Sequence, residues 1–140
     1  MKPQARRKAR FFAIQAIYQW QLTAANVLDI KQQFLAKFNP KKVEVEYFYD
    51  LLDGVIKNVE MIDKIAISFL DRSIKELDPV ELAVLRMAIY ELKNRLDVPY
   101  KVIINEALEL TKNLGSIEGY KYVNGILDKV ARSLRSTELH

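Results

Sequence analysis

Residues 78–96, DPVELAVLRMAIYELKNRL, open as a helix should. Asp78 can accept from the free amides of a first turn, Pro79 suits the first helical position, and Glu81 can close a capping box. Downstream, Val80, Val84, Leu85, Ala88, Ile89 and Leu92 recur at three- and four-residue spacing. Their stripe is too broad for one neighbour, so the segment reads as a central helix packed on more than one side.

Working outward, Pro99 opens a further helix whose apolar line is Ile103, Ala107, Leu110 and Leu114, with Ile104, Leu108 and Thr111 alongside. Gly115 is suited to end it in a left-handed conformation. A last helix is expected from about Glu118 to Leu134, packed through Val123, Ile126, Leu127, Val130 and Leu134, with Arg135 to His140 free to fray. Upstream, a soft boundary lies near Ser73 to Pro79. Before it, Phe48, Leu51, Leu52, Val55, Ile56, Val59 and Ile62 mark a helix beginning near Val43 or Glu44. Gly54 either weakens that helix or permits close packing. Ile65 to Leu70 either continues it or forms a short helix of its own. A helix capped by Asn26, with Asp29 near its start, ends before Asn39 and Pro40. The first runs from Arg6 to Leu22, with Phe11, Ile14, Tyr18 and Leu22 along one stripe and Ala13, Ile17 and Trp20 widening it. Four glycines, four prolines and no sustained strand-like alternation complete the pattern. The expectation is an all-α fold: about seven helices in two tightly packed subdomains, about 1–74 and 75–140, within a single domain, 1–140.

A chain of 140 residues, 50% hydrophobic and 29% charged, buries a core without metal or crosslink. It has no cysteine, which excludes disulfides, thiol catalysis and cysteine-ligated zinc or iron–sulfur sites. No signal peptide and no stretch of ~20 apolar residues is visible. A cytoplasmic location without membrane attachment is expected.

The net charge of +4 is concentrated at one end. Lys2, Arg6, Arg7, Lys8 and Arg10 stand in the first ten residues without an acidic partner. On a helix, Arg6 and Arg10, or Arg7 and Arg10, are neighbours. Guanidinium groups offer paired donors to phosphate oxygens and can stack on bases. This run reads either as a solubilising terminus or as a phosphate-binding arm. Tyr120 and Tyr122 flank Lys121 beside a glycine-bearing segment. An exposed tyrosine there can stack on an unpaired base, and Asn124 can bond a base edge; each can equally serve packing or local backbone. Tyr18 and Trp20 read more simply as core residues.

Catalysis has little to stand on. The sole histidine, His140, is the last residue. There is no Gly-x-Gly-x-x-Gly, no phosphate-binding loop and no His-Glu-x-x-His, and the serines have no fitting histidine partner. Asp50 and Asp53 read as solvated helix charges and not as a metal site. No catalytic residue, metal ligand or cofactor is expected.

KPQARRKARFFAIQAIYQWQ (2–21), DPVELAVLRMAIYELKNRLDVPYKVIINEALELTK (78–112) and KYVNGILDK (121–129) resemble the NusB family of bacterial transcription antitermination factors. The resemblance spans essentially the whole chain and implies an all-helical protein. It also implies binding to the boxA element of nascent ribosomal RNA, a single-stranded site, together with NusE, a small-subunit ribosomal protein. The pair would help assemble an antitermination complex on RNA polymerase. Carried over by position, the RNA-binding residues are Lys2, Arg6, Arg7, Arg10, Tyr18, Glu118 and Tyr122, to which side-chain chemistry adds Asn124. Many relatives have aspartate and phenylalanine where this chain has Glu118 and Tyr122. Glu81 and Arg86 are the implied protein-partner residues, on a face separate from the RNA. A NusB-like fold also occurs attached to ribosomal-RNA cytosine methyltransferases, but this chain has neither room for their catalytic domain nor a cysteine nucleophile.

Overall fold

The computed structural model describes residues 3–115 and 117–138. Among these residues seven α-helices follow one another: α1 (Pro3–Thr23), α2 (Val27–Leu35), α3 (Val45–Lys57), α4 (Val59–Ile67), α5 (Pro79–Asn94), α6 (Tyr100–Leu114) and α7 (Ile117–Leu134), with one 3-10 turn at Ile74–Glu76. No strand occurs among the described residues. Lys2 and His140, both considered in the sequence, lie outside them.

The stretch beginning at Asp78 becomes the hub. α5 packs against α1, α3, α4, α6 and α7, so helices from both halves of the chain share one core across the boundary near Ser73 to Pro79. Its Val84, Leu85, Met87, Ala88, Ile89 and Leu92 are fully buried. Asp78 caps it, accepting from the amides of Val80 at 2.8 Å and Glu81 at 3.2 Å. The return bond of a capping box is not made among the described residues. The Glu81 carboxylate instead lies against Gly119 of α7, where an added Cβ would stand 2.5 Å from its Oε2.

α1 buries a line of small side chains, Ala5, Ala9, Ala13 and Ala16, with Ile14 and Ile17. Short side chains let two helices approach closely, and α1 packs on both α3 and α5. The expected stripe is therefore rotated: Phe11 and Tyr18 are half-buried, and Leu22 is 58% exposed. α1 ends at Ala24, which adopts the left-handed conformation (φ 52°) while its amide donates to Trp20 O at 2.8 Å. Gly115, expected in that role, is extended instead (φ −126°, ψ −148°).

Gly54 serves close packing. A Cβ there would lie 2.1 Å from Cζ of Tyr90, whose ring from α5 crosses α3 at this point. The Tyr90 hydroxyl then donates to Asp50 Oδ1 at 2.6 Å. The chain breaks at Asn58 (φ −112°, ψ 19°), making α4 a separate helix.

The segment after α7 is held through Glu138. Arg135 is buried and donates to the carbonyl oxygens of Leu92 at 2.8 Å, Arg95 at 2.9 Å and Val98 at 3.0 Å. The last carbonyls of a helix have no partner within it, and this guanidinium supplies one for α5. Glu138 in turn accepts from the Tyr100 amide at the start of α6, at 2.9 Å, and pairs with Arg135.

Candidate nucleic-acid interface

The first turns of α1 carry three arginines in three environments. Arg10 shares the inward side with Ala9 and Ala13 and is 2% exposed. Its Nε and Nη2 hold the Glu91 carboxylate of α5 at 2.9–3.2 Å, and the Tyr47 hydroxyl donates to the same carboxylate at 2.5 Å. A guanidinium so enclosed offers almost no surface to a nucleic-acid backbone, although Arg10 borders the groove beside Arg6. The helix rotation that buries the alanine line takes Arg10 in with it, and its charge is matched there by Glu91.

Arg6 and Arg7 stay at the surface but are not free. Arg6 Nε and Nη2 each donate to Glu44 at 2.9 Å, and its guanidinium lies 4.1 Å from the centre of the Tyr47 ring. Arg7 donates through the same two nitrogens to Glu106 of α6 at 2.9–3.3 Å. Their side chains are 29% and 59% exposed. The Glu44 hydrogen bonds raise the Arg6 pKa and hold the Glu44 carboxyl below its usual range. In both arginines Nη1 makes no hydrogen bond among the described residues. Each carboxylate thus fixes the guanidinium plane and leaves one amino edge able to donate. Arg6 borders a shallow groove with Pro3, Asp97, Pro99 and Glu106.

A second cluster sits at the other end of α5. Arg72, Glu81, Glu118, Lys121 and Tyr122 line one open groove. The half-buried Tyr122 donates its hydroxyl to Asp71 Oδ1 at 3.1 Å, and Arg72 lies 4.4 Å over its ring while holding Asp71 at 2.8 Å. Burial first, and then the Asp71 carboxylate, raise the Tyr122 pKa. Burial, reinforced by Asp78, also raises the Glu81 carboxyl. Glu118 and Asn124 are exposed.

Glu81, expected on a face separate from the RNA residues, does not lie on one. Glu81 shares the groove of Glu118 and Tyr122, because α5 and α7 begin side by side with Gly119 against Glu81. Arg86 is engaged internally: it holds Asp63 of α4 at 2.8 and 2.9 Å and donates to Gln21 Oε1 of α1 at 3.1 Å. Tyr18 packs half-buried against the core. Glu81 and Glu91 lie ten positions apart on α5, an offset of roughly 15 Å along the helix. Sequence reasoning missed Asp71 and Arg72, which reach Tyr122 from 51 and 50 residues upstream and leave no local pattern. It also passed over Lys37, Lys41 and Lys42, whose signal was a short acid-free run hidden in the average charge.

The model of the NusB family matches residues 7–132. The chain belongs to the NusB family. It is 55% identical over 137 residues to the transcription antitermination protein NusB of Idiomarina loihiensis, covering 98% of this chain and 99% of that protein. It is 54% identical to the NusB of Alcanivorax borkumensis over 136 residues, covering 97% and 91%. Among solved structures, T. maritima NusB superposes with a TM-score of 0.84 at 29% identity, over 99% of this chain and 97% of that one. A crystal structure of antitermination factors NusB and NusE in complex with dsRNA matches with a TM-score of 0.84 at 26% identity, over 94% and 99%. The protein is thus a NusB-type antitermination factor, a non-catalytic regulator of transcription. Among the described residues no group of three or more acidic, histidine or cysteine side chains could hold a metal ion, and no helix is long and apolar enough to cross a membrane.

Proposed function

We propose that this NusB-family protein binds a boxA-type single-stranded RNA together with a NusE-type ribosomal protein, and so helps build an antitermination complex on RNA polymerase. One observation carries the RNA reading: Arg6 and Arg7 are held in fixed planes by carboxylates from other elements, each with one donor edge left over. Those edges contact phosphates, aided by Lys2. The strand runs from there toward the groove of Glu118 and Tyr122, where Tyr122 stacks on a base and Asn124 bonds a base edge. Arg72 already occupies one face of Tyr122, so a base takes the other or displaces it. Arg10 acts only by holding α1 on α5. Glu81 offers the open carboxylate for the ribosomal protein, and Arg86 keeps α1, α4 and α5 in register beneath it. The solved complex of related factors with RNA supports the combination of partners.

The test is a titration of boxA-like and scrambled single-stranded RNAs, with and without the NusE-type protein. Tighter binding of the boxA-like strand, strengthened by the protein partner, is expected. Equal affinity for both strands under both conditions contradicts the proposal and leaves a helical protein-interaction module.

A further inference from the structure

Residues 37–42 read Lys-Phe-Asn-Pro-Lys-Lys, three cations and no acid, between α2 and α3. The turn is built, not loose. Asn39 accepts the Lys41 amide on its side chain at 3.1 Å, and its carbonyl accepts the amides of Lys42 at 2.9 Å and Val43 at 3.2 Å. Phe38 is driven into the core against Phe12 and Phe48, with ring centres 4.8 and 4.9 Å apart. Just beyond the turn, the Glu44 amide donates to Ala5 O at 3.1 Å, fastening the loop to the first turn of α1.

The fastening brings a fourth cation into the group. Lys8 of α1 borders two adjoining shallow grooves. One is shared with Gln4, Lys41 and Lys42, and the other with Lys37, Lys42 and the half-buried rings of Phe11 and Phe12. Among the described residues no carboxylate lies within salt-bridge distance of any of the four ammonium groups, whereas Arg6, Arg7, Arg10, Arg72, Arg86, Arg95 and Arg135 each have one. The nearest acid in sequence, Glu44, is already held by Arg6. The four are thus a local group of cations without ion-pair partners, whereas the neighbouring Arg6, Arg7 and Arg10 of α1 are each matched by an acid.

We propose that Lys8, Lys37, Lys41 and Lys42 form a second phosphate-binding surface, which takes the backbone of RNA extending beyond the strand held at Arg6 and Arg7. Lysine ammonium groups are mobile point charges, which suits contact with phosphates irrespective of base sequence. Lys8 follows Arg7 directly on α1, so a strand leaving the arginines meets the lysines after passing round the helix. The inference rests on RNA binding at α1 and adds to it a length-dependent, sequence-independent contribution.

The experiment compares the full-length protein with Lys37→Gln/Lys41→Gln/Lys42→Gln, using a short boxA-like RNA and the same RNA extended at either end. For the short RNA, affinity is unchanged in the variant. For one of the extended RNAs, raising salt from about 50 mM to about 200 mM weakens the wild type roughly tenfold to twentyfold more than the variant, as expected for three lost phosphate contacts on a single strand. Identical affinities and salt slopes for wild type and variant on all RNAs overturn this inference alone. Failure of the wild type to bind any of them overturns the RNA reading on which it depends. Phosphatidylglycerol vesicles provide a third arm: vesicle binding lost in the variant, with RNA binding intact, assigns the lysines to an anionic membrane and also overturns it.

Discussion

Arg10 and Arg7 stand three residues apart in one helix, yet one closes the core and the other faces water. Removing one partner of a buried ion pair leaves an uncompensated charge inside, so Arg10→Ala should lower folding stability by about 3–5 kcal/mol in chemical denaturation. Arg7→Ala should cost under about 1 kcal/mol. Equal small losses for both would show that the Glu91 pair is not the buried anchor described. It follows that an RNA-binding test must spare Arg10, since loss of binding there would report loss of fold. The same scale holds the prediction for Tyr122. Tyr122→Ala should weaken boxA-like RNA binding by roughly 1–3 kcal/mol through lost stacking, while Tyr122→Phe retains most of it. Were Phe as damaging as Ala, the bond to Asp71 would matter and not the ring. From sequence, Arg10 could be seen as basic but not as buried. Its phase relative to Ala9 and Ala13 follows only once α1 is known to use its alanine line, with Leu22 turned out.

Among the elements, α5 was the most legible because its instructions are local: Asp78 and Pro79 at the start and a wide apolar face throughout. The helix ends were less so, since tertiary partners decide them. Gly115 need not be left-handed when α7 begins two residues later, and Arg135 to Glu138 are held in place as Arg135 caps the end of α5 and Glu138 meets the start of α6. Gly54 had two readings, and only the Tyr90 ring chooses between them. Gly54→Ala should therefore destabilise by about 1–3 kcal/mol through overpacking, despite alanine's better helix propensity. Thermal denaturation reads the outcome, and a raised Tm would mean that α3 and α5 yield there at no cost. Pairing between elements also sets a pH dependence. Glu44 is held below its ordinary value of 4.5, so its contribution is present above that value and lost as pH falls through the depressed one. The stability difference between wild type and Glu44→Gln should be largest near neutrality and shrink in acid below that value. A difference constant with pH would mean that the Arg6–Glu44 pair contributes nothing through charge.

At the scale of the whole molecule, the all-helical class and the helix count were readable because they depend on periodicity and punctuation. The arrangement of charge was not. The sequence places its excess cations at the N-terminus, but folding pairs Arg6, Arg7 and Arg10 with acids 38, 99 and 81 residues away. The same folding gathers Glu81 and Tyr122 into one groove. The folded surface carries held guanidiniums, a tyrosine-lined groove and a separate lysine turn. The proposed RNA site stands most directly on the two arginines that remain outside. The deciding measurement is the salt dependence of boxA-like RNA affinity for wild type and for Arg6→Gln/Arg7→Gln, with folding verified for both. Losing two phosphate contacts should reduce the log–log slope by roughly 1.4 and weaken binding at low salt. An unchanged slope and affinity in the folded double variant would contradict it.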